Sequence, residues 1–209
     1  MRALVSSLEK RGVLKSEQII EALLKVDRKD FIPKERQDQA YTDEALPIGS
    51  GQTISQPYTV AFMLELLEPK KTEIIMDVGS GSGWTAAILA EIVGLEGEIY
   101  AFERIPELCE FGKNNLKKYP MISGRVSFFC RDASSGPDVP PSGGFDGIIA
   151  AAALDEVPPI WRKILKIGGR LIYPRDGSVI KEIKESEEEF EKCEYEGFAF
   201  VPYIKDENF

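Results

Sequence analysis

Residues 74–83, Ile74-Ile75-Met76-Asp77-Val78-Gly79-Ser80-Gly81-Ser82-Gly83, decide how the rest of the chain is read. An apolar run of strand character ends in alternating glycines, and a helical pattern starts at once at Trp84. Glycines at such a turn let the backbone bend tightly and approach a ligand, while the unpaired N–H groups of the following helix favour a negative group. The segment opens a βαβ unit whose turn suits a nucleotide-like ligand.

Outward from this turn the pattern alternates. Strands are expected at 73–78, 98–102, 125–130, 145–150 and 170–173, with helices at 84–93, 106–118 and 158–165. Such a series makes an α/β fold, a mostly parallel sheet with helices on both faces. Upstream, apolar residues at helical spacing (Leu4, Val5, Leu8, then Ile19, Ile20, Leu23, Leu24) predict two short amphipathic helices, with Ser16 placed to cap the second. Residues 31–56 lose periodicity and collect Pro33, Pro47, Gly49 and Gly51, which reads as a long irregular connection packed on the body through Tyr41, Leu46 and Ile48. A further helix runs from Pro57 to Leu67. The tail suggests an antiparallel hairpin at the sheet edge, built from 178–184 and 195–204 around an acidic, solvated turn at 185–191. Residues 1–56 are thus read as N-terminal helices and a substrate and cofactor loop packed on a domain spanning 57–209, one compact unit overall.

Composition narrows the chemistry. The 209 residues are 43% hydrophobic, which is enough for a sizeable core, and 26 basic against 35 acidic side chains give a net charge of −9. That field repels nucleic acid and anionic lipid. There are 0 histidines, so imidazole bases, Ser-His-Asp catalysis and histidine-ligated zinc are all excluded, and no metal is expected. Cys109, Cys130 and Cys193 lie far apart and write neither a disulfide framework nor a CxxC site, so they are read as small buried residues. No signal peptide or membrane-spanning run is visible, which suggests a cytoplasmic protein.

Glu103 follows Gly83 by twenty residues, at the end of the next strand, where it can accept hydrogen bonds from ribose hydroxyls; the alternative is an exposed ion pair with Arg104. A dinucleotide site needs a small residue where Trp84 stands, so NAD fits badly. With Asp77 two residues before the first glycine, the segment resembles motif I of class I S-adenosylmethionine (AdoMet) methyltransferases. That resemblance implies a Rossmann-like fold with AdoMet as cofactor, Asp77 near its amino-acid end and Asp132 near the adenine amino group.

Pro47-Ile48-Gly49-Ser50-Gly51-Gln52-Thr53-Ile54-Ser55-Gln56-Pro57, with Phe31-Ile32-Pro33 and Ala40-Tyr41 before it, closely resembles the signature of protein-L-isoaspartate O-methyltransferases. The similarity continues through Phe145-Asp146, residues 150–153, Val157-Pro158, Gly168-Gly169-Arg170-Leu171 and Phe200-Val201-Pro202, in order along essentially the whole chain. It implies methyl transfer to the side-chain carboxylate of isoaspartyl residues in damaged proteins, with Ser55 positioning that carboxylate unless it serves only as a helix cap. The substrate set expected from it is Thr53, Ile54, Ser55, Val201 and Ile204, with Ile54 also packing inward, and an extended peptide is expected across 49–57 and 201–204. The cofactor set expected from this resemblance is Gly49, Gln52, Thr53, Tyr58, Asp77, Gly79, Gly81, Gly83, Glu103, Arg104, Asp132 and Ala133. The partners it implies are isoaspartyl peptides and proteins, and the chain is expected to be a monomer. Three positions depart from the family pattern: Tyr58 stands where many relatives carry histidine, Arg131-Asp132-Ala133 replaces Gly-Asp-Gly, and Pro174-Arg175-Asp176 replaces a Pro-Val-Gly turn. The alternatives are a class I methyltransferase acting on RNA, another carboxylate or a small molecule, and an AdoMet-binding protein without activity.

Overall fold

Strand β3 (Ile74–Val78) lies inside the sheet because, Asp77 apart, its side chains are apolar toward both faces. Ile75 packs into one core and Met76 and Val78 into another, the period-2 alternation of a strand buried on both sides. The computed structural model describes residues 1–203. A seven-stranded sheet has the order β5-β4-β3-β6-β7-β8-β9, with β4 (Glu98–Phe102), β5 (Val126–Phe129), β6 (Phe145–Ala150) and β7 (Leu165–Arg175) in parallel pairings around β3. Strands β8 (Ser178–Lys184) and β9 (Phe190–Glu196) add antiparallel at one edge. The chain steps outward from β3 through β4 to β5, then returns to β6 on the other side of β3. The crevice at this reversal, beyond Val78 and Ala150, is where open α/β sheets hold ligands.

Helix α4 (Trp84–Val93) is apolar around nearly its whole circumference, which suits a helix enclosed between the sheet and α2 (Glu17–Lys25). Lys25 meets Glu91 at 2.8 Å, and the Trp84 indole donates to the Val26 carbonyl at 3.3 Å. Helices α1 (Arg2–Lys10) and α3 (Pro57–Leu67) share this core, whereas Trp161 of α7 (Pro159–Ile164) fills the core on the opposite face. Arg170 grips the end of α3, donating to the Leu67 and Glu68 carbonyls and pairing through both amino groups with Glu73.

Several expectations are corrected. Residues 31–56 are not an irregular connection: two short 3₁₀ helices (Arg28–Phe31, Lys34–Gln39) precede a hairpin of β1 (Leu46–Gly49) and β2 (Gln52–Ile54). Its tight turn, Gly49-Ser50-Gly51, runs entirely at positive φ, a backbone conformation that two of its three residues adopt without strain. Ser16 occupies the cap position of α2, but its hydroxyl bonds to Glu65 instead of the helix. The acidic stretch is only partly a turn, since β9 begins at Phe190, and the chain after Glu196 leaves β9 to bridge Ala153 at Pro202. A short helix, α6 (Pro120–Ser123), was not anticipated. Helix α5 (Pro106–Leu116) and the end of β5 are joined by a Cys109–Cys130 disulfide, with Cα atoms 5.6 Å apart. Cys109 is buried as expected, but Cys130 and Cys193 are exposed, because each sits where the sheet edge meets solvent. The departure at Pro174-Arg175-Asp176 also has a physical basis. Arg175 pairs with Ser178 across Asp176-Gly177, both at positive φ, an Asp-Gly two-residue turn that matches the twist of β7 and β8.

Candidate active site

The glycine turn is held from below by β4: the N–H groups of Gly79 and Ser80 both donate to the Phe102 carbonyl at 2.9 Å. Its outer limb is held by Glu103, whose carboxylate accepts the N–H of Gly81 at 2.9 Å and that of Ile105 at 2.9 Å. Gly79 and Gly81 line the cavity over the sheet reversal. Gly83 does not; a Cβ there would meet the Gly112 carbonyl at 3.1 Å, so this glycine serves the packing of α4 on α5.

The inner cavity brings together Gln52, Thr53, Ile54, Ser55, Gly79, Gly81, Glu103, Arg104, Asp132, Ala133 and Val201. Gly49, Tyr58, Asp77 and Gly83 are not part of its wall, and Ile204 lies outside the described residues. Gly49 belongs to the hairpin turn and Asp77 lies beneath the glycine loop within the sheet. Sequence reasoning missed the wall contributed by Ser80, Ala151, Phe200 and Tyr203. The alanine run at 150–153 and the Phe200-Val201-Pro202 motif carried that signal, since the first follows β6 at the reversal and the second bridges to it.

The inner end is rich in carboxylates. Asp132 accepts hydrogen bonds from the Ser134 N–H at 3.1 Å, from the Ser134 hydroxyl and from the Tyr203 hydroxyl. Burial raises the Glu103 carboxyl, opposed by the N–H groups of Ile105, Gly81 and Arg104. Asp77 is 1% exposed, its Oδ2 has no hydrogen-bond partner among the described residues, and burial together with the nearby charge of Glu103 pushes its carboxyl up to about 7. An acceptor-rich wall above an unsatisfied buried carboxyl selects a ligand bearing hydroxyl and amino donors and positive charge. Among the described residues no cluster of His, Cys, Asp and Glu could hold a metal ion.

A second, more open cavity lies beside the first and is walled by Asp43, Tyr58, Glu196 and the extended segment from Gly197 to Phe200. Thr53, Ser55 and Phe200 line both cavities, so they form the junction. The cap of α3 is Gln56, not Ser55, and no hydrogen bond among the described residues engages the Ser55 hydroxyl. Tyr58 turns away from the inner cavity, with the Arg11 guanidinium 4.4 Å from its ring centre and Phe62 stacked beside it. Val201 and Tyr203 exchange hydrogen bonds with Ala153 at 2.8 Å, which fixes this segment against the end of β6.

The family model for protein-L-isoaspartate(D-aspartate) O-methyltransferase matches residues 1–208. This chain belongs to that family. It is 40% identical to the protein-L-isoaspartate O-methyltransferase of Methanopyrus kandleri over 99% of this chain and 92% of that one, and 39% identical to that of Ignicoccus hospitalis over 99% and 98%. A crystal structure of a protein-L-isoaspartate O-methyltransferase from Plasmodium falciparum, in complex with S-adenosyl-L-homocysteine, superposes with a TM-score of 0.85 at 25% identity, covering 98% of each chain. Against the family pattern, Arg131 lines the inner cavity beside Asp132, and its guanidinium is held by its own loop, donating to Ser135 Oγ at 3.2 Å and to the Gly136 carbonyl at 2.9 Å. The Asp132 carboxylate therefore keeps its place in the wall.

Proposed function

We propose that this chain transfers the methyl group of AdoMet to the side-chain carboxylate of L-isoaspartyl residues in damaged proteins, which initiates repair through a succinimide. The observation that carries the reading is the junction at Thr53, Ser55 and Phe200, where a carboxylate-walled inner cavity opens into an outer cavity bordered by extended chain. The inner residues fit AdoMet. Glu103 accepts from ribose hydroxyls and Asp132 accepts from the adenine amino group, while Asp77, buried beneath the glycine loop and outside the cavity wall, supports a cationic amino-acid end from below the loop. Bound AdoMet supplies a sulfonium-activated methyl group.

The acceptor is itself a carboxylate, a group that ordinarily titrates at about 4 and is ionised at neutral pH, so no general base is needed and the lack of histidine carries no penalty. The protein contributes alignment and exclusion of water, effects worth roughly 7–11 kcal/mol when two reactants are well placed. The Ser55 hydroxyl orients the acceptor oxygen at the junction, with Thr53 and Gln52 beside it, while the 197–203 segment receives the flanking peptide in extended form as an added strand would. Once esterified, the side chain is open to attack by the neighbouring backbone nitrogen, because an alkoxide leaves where an oxide could not. Hydrolysis of the resulting ring returns some normal aspartate.

The working unit is a cytoplasmic monomer that engages polypeptide and neither nucleic acid nor membrane. The net charge of −9 opposes binding to nucleic acid and to anionic lipid, and among the described residues no helix is long and apolar enough to cross a membrane. The deciding experiment offers methyl-labelled AdoMet with an isoaspartyl peptide and its aspartyl twin. Label is expected in the first alone; no transfer above background to either overturns the proposal.

A further inference from the structure

Arg28 is a fully buried cation whose role belongs to neither core. Its Nη1 donates to the carbonyls of Ala40 at 3.0 Å and Thr42 at 3.1 Å, and its Nη2 to those of Glu44 at 2.8 Å and Ser55 at 3.1 Å. All four Nη hydrogens are thus used on one stretch of chain, 40–55, which carries the β1–β2 hairpin and ends at the junction of the two cavities. On its other side the guanidinium lies 5.5 Å from the ring of Trp84, which lines the inner cavity and opens α4. Among the described residues no carboxylate lies within ion-pair distance of Arg28. Burial pulls its guanidinium down to about 10, opposed by the charge of Asp43, so it remains charged at neutral pH. A buried cation that binds only carbonyls contributes little to stability for its desolvation cost, but it fixes geometry well, since its planar fork defines the positions of several oxygens at once.

We propose that Arg28 is the positioning residue of the methyl-transfer site: by clamping the carbonyls of Ala40, Thr42, Glu44 and Ser55 it sets Ser55 in register with the cofactor cavity that Trp84 walls. This rests on the methyl-transfer reading above. Lysine at the same position keeps the charge but offers three donors from a point, so it cannot hold four carbonyls in one plane.

Arg28→Lys separates positioning from folding. The variant is expected to melt cooperatively and to bind S-adenosylhomocysteine within about threefold of wild type, while kcat/KM on an isoaspartyl peptide falls by about 20-fold or more, the scale of a sub-ångström to ångström misalignment. Hydrogen exchange supplies a readout independent of turnover: amides of 44–56 should exchange faster in the variant while those of 74–102 stay unchanged. Unaltered kcat/KM with unaltered exchange, or a parallel loss of folding, S-adenosylhomocysteine binding and protection throughout the chain, overturns the proposal and leaves Arg28 a residue of the fold. If wild type itself fails to methylate the peptide, the methyl-transfer reading falls and the role of Arg28 in that reaction falls with it, while the exchange pattern still decides separately whether Arg28 holds the 40–55 segment in place.

Discussion

The Glu103 carboxylate accepts the Gly81 N–H at 2.9 Å while its other oxygen accepts the N–H of Ile105 at 2.9 Å. Both carboxylate oxygens face backbone donors, so the residue assigned to the ribose also shapes the glycine turn. Glutamine cannot substitute, because its amide would set a donor against one of those N–H groups. Glu103→Gln and Glu103→Ala are both expected to weaken S-adenosylhomocysteine binding by about 10- to 150-fold, the equivalent of one charged hydrogen bond of about 1.5–3 kcal/mol. Calorimetric titration checks this; unchanged affinity in both variants places the ribose elsewhere.

Ser55 offers a cleaner test than its sequence context suggests. Since Gln56 is the cap of α3 and the Ser55 hydroxyl has no intramolecular hydrogen bond among the described residues, Ser55→Ala should change stability by less than about 0.5 kcal/mol. Turnover on an isoaspartyl peptide should fall while S-adenosylhomocysteine affinity holds. Steady-state kinetics beside thermal melts decide it, and wild-type kcat/KM in the variant would remove Ser55 from catalysis.

Asp77 carries a pH signature. Its folded carboxyl titrates at about 7, above the ordinary aspartate value of 3.8, through burial and then the charge of Glu103. The folded state therefore binds the proton more tightly than the unfolded state, and stability from this group falls as pH rises from 3.8 to about 7, levelling off above. Asp77→Asn has no such slope. In urea unfolding without cofactor, the variant should gain on wild type by roughly 2–3 kcal/mol between pH 5 and pH 8. A difference that stays flat, or moves the other way, contradicts the assignment.

The Cys109–Cys130 disulfide closes a loop over a sequence separation of 21 residues, for which chain entropy predicts about 3 kcal/mol of stabilisation. Cys130→Ser removes the link at its exposed end, so no core cavity confuses the result. Its melting temperature should match that of wild type under a strong dithiol reductant and lie below that of oxidised wild type. Equal melting of all three samples would show the thiols unlinked in solution.

What the sequence revealed and what it hid divide along a physical line. Strands β4 and β6 and helix α4 have the limits expected from periodicity, because a central strand or an enclosed helix is written by consecutive apolar residues. The β1–β2 hairpin escaped notice because strands of four and three residues are too short to show a period. The contacts that shape the site were hidden for another reason. Arg28 is one of 26 basic residues and nothing local marks it as buried, since its four carbonyl partners lie 12 to 27 residues away. Tyr203 reaches Asp132 across a separation of 71, and Cys109 meets Cys130 only because α5 lies against β5. Placement of Asp77 beneath the cavity and of Gly83 at a helix contact likewise depends on depth in the fold, which motif spacing does not encode.

Strand β9 leaves one margin of the sheet open, and there Glu191, Lys192, Glu194 and Glu196 stand exposed. An unpaired margin would ordinarily invite a stray extended chain to join it, the first step toward a fibrous aggregate. For an enzyme that acts on isoaspartyl-containing proteins, that hazard accompanies every encounter. Three carboxylates against one ammonium along this margin set like charge against any acidic strand that would pair there, so the fold carries its own guard against edge-to-edge association.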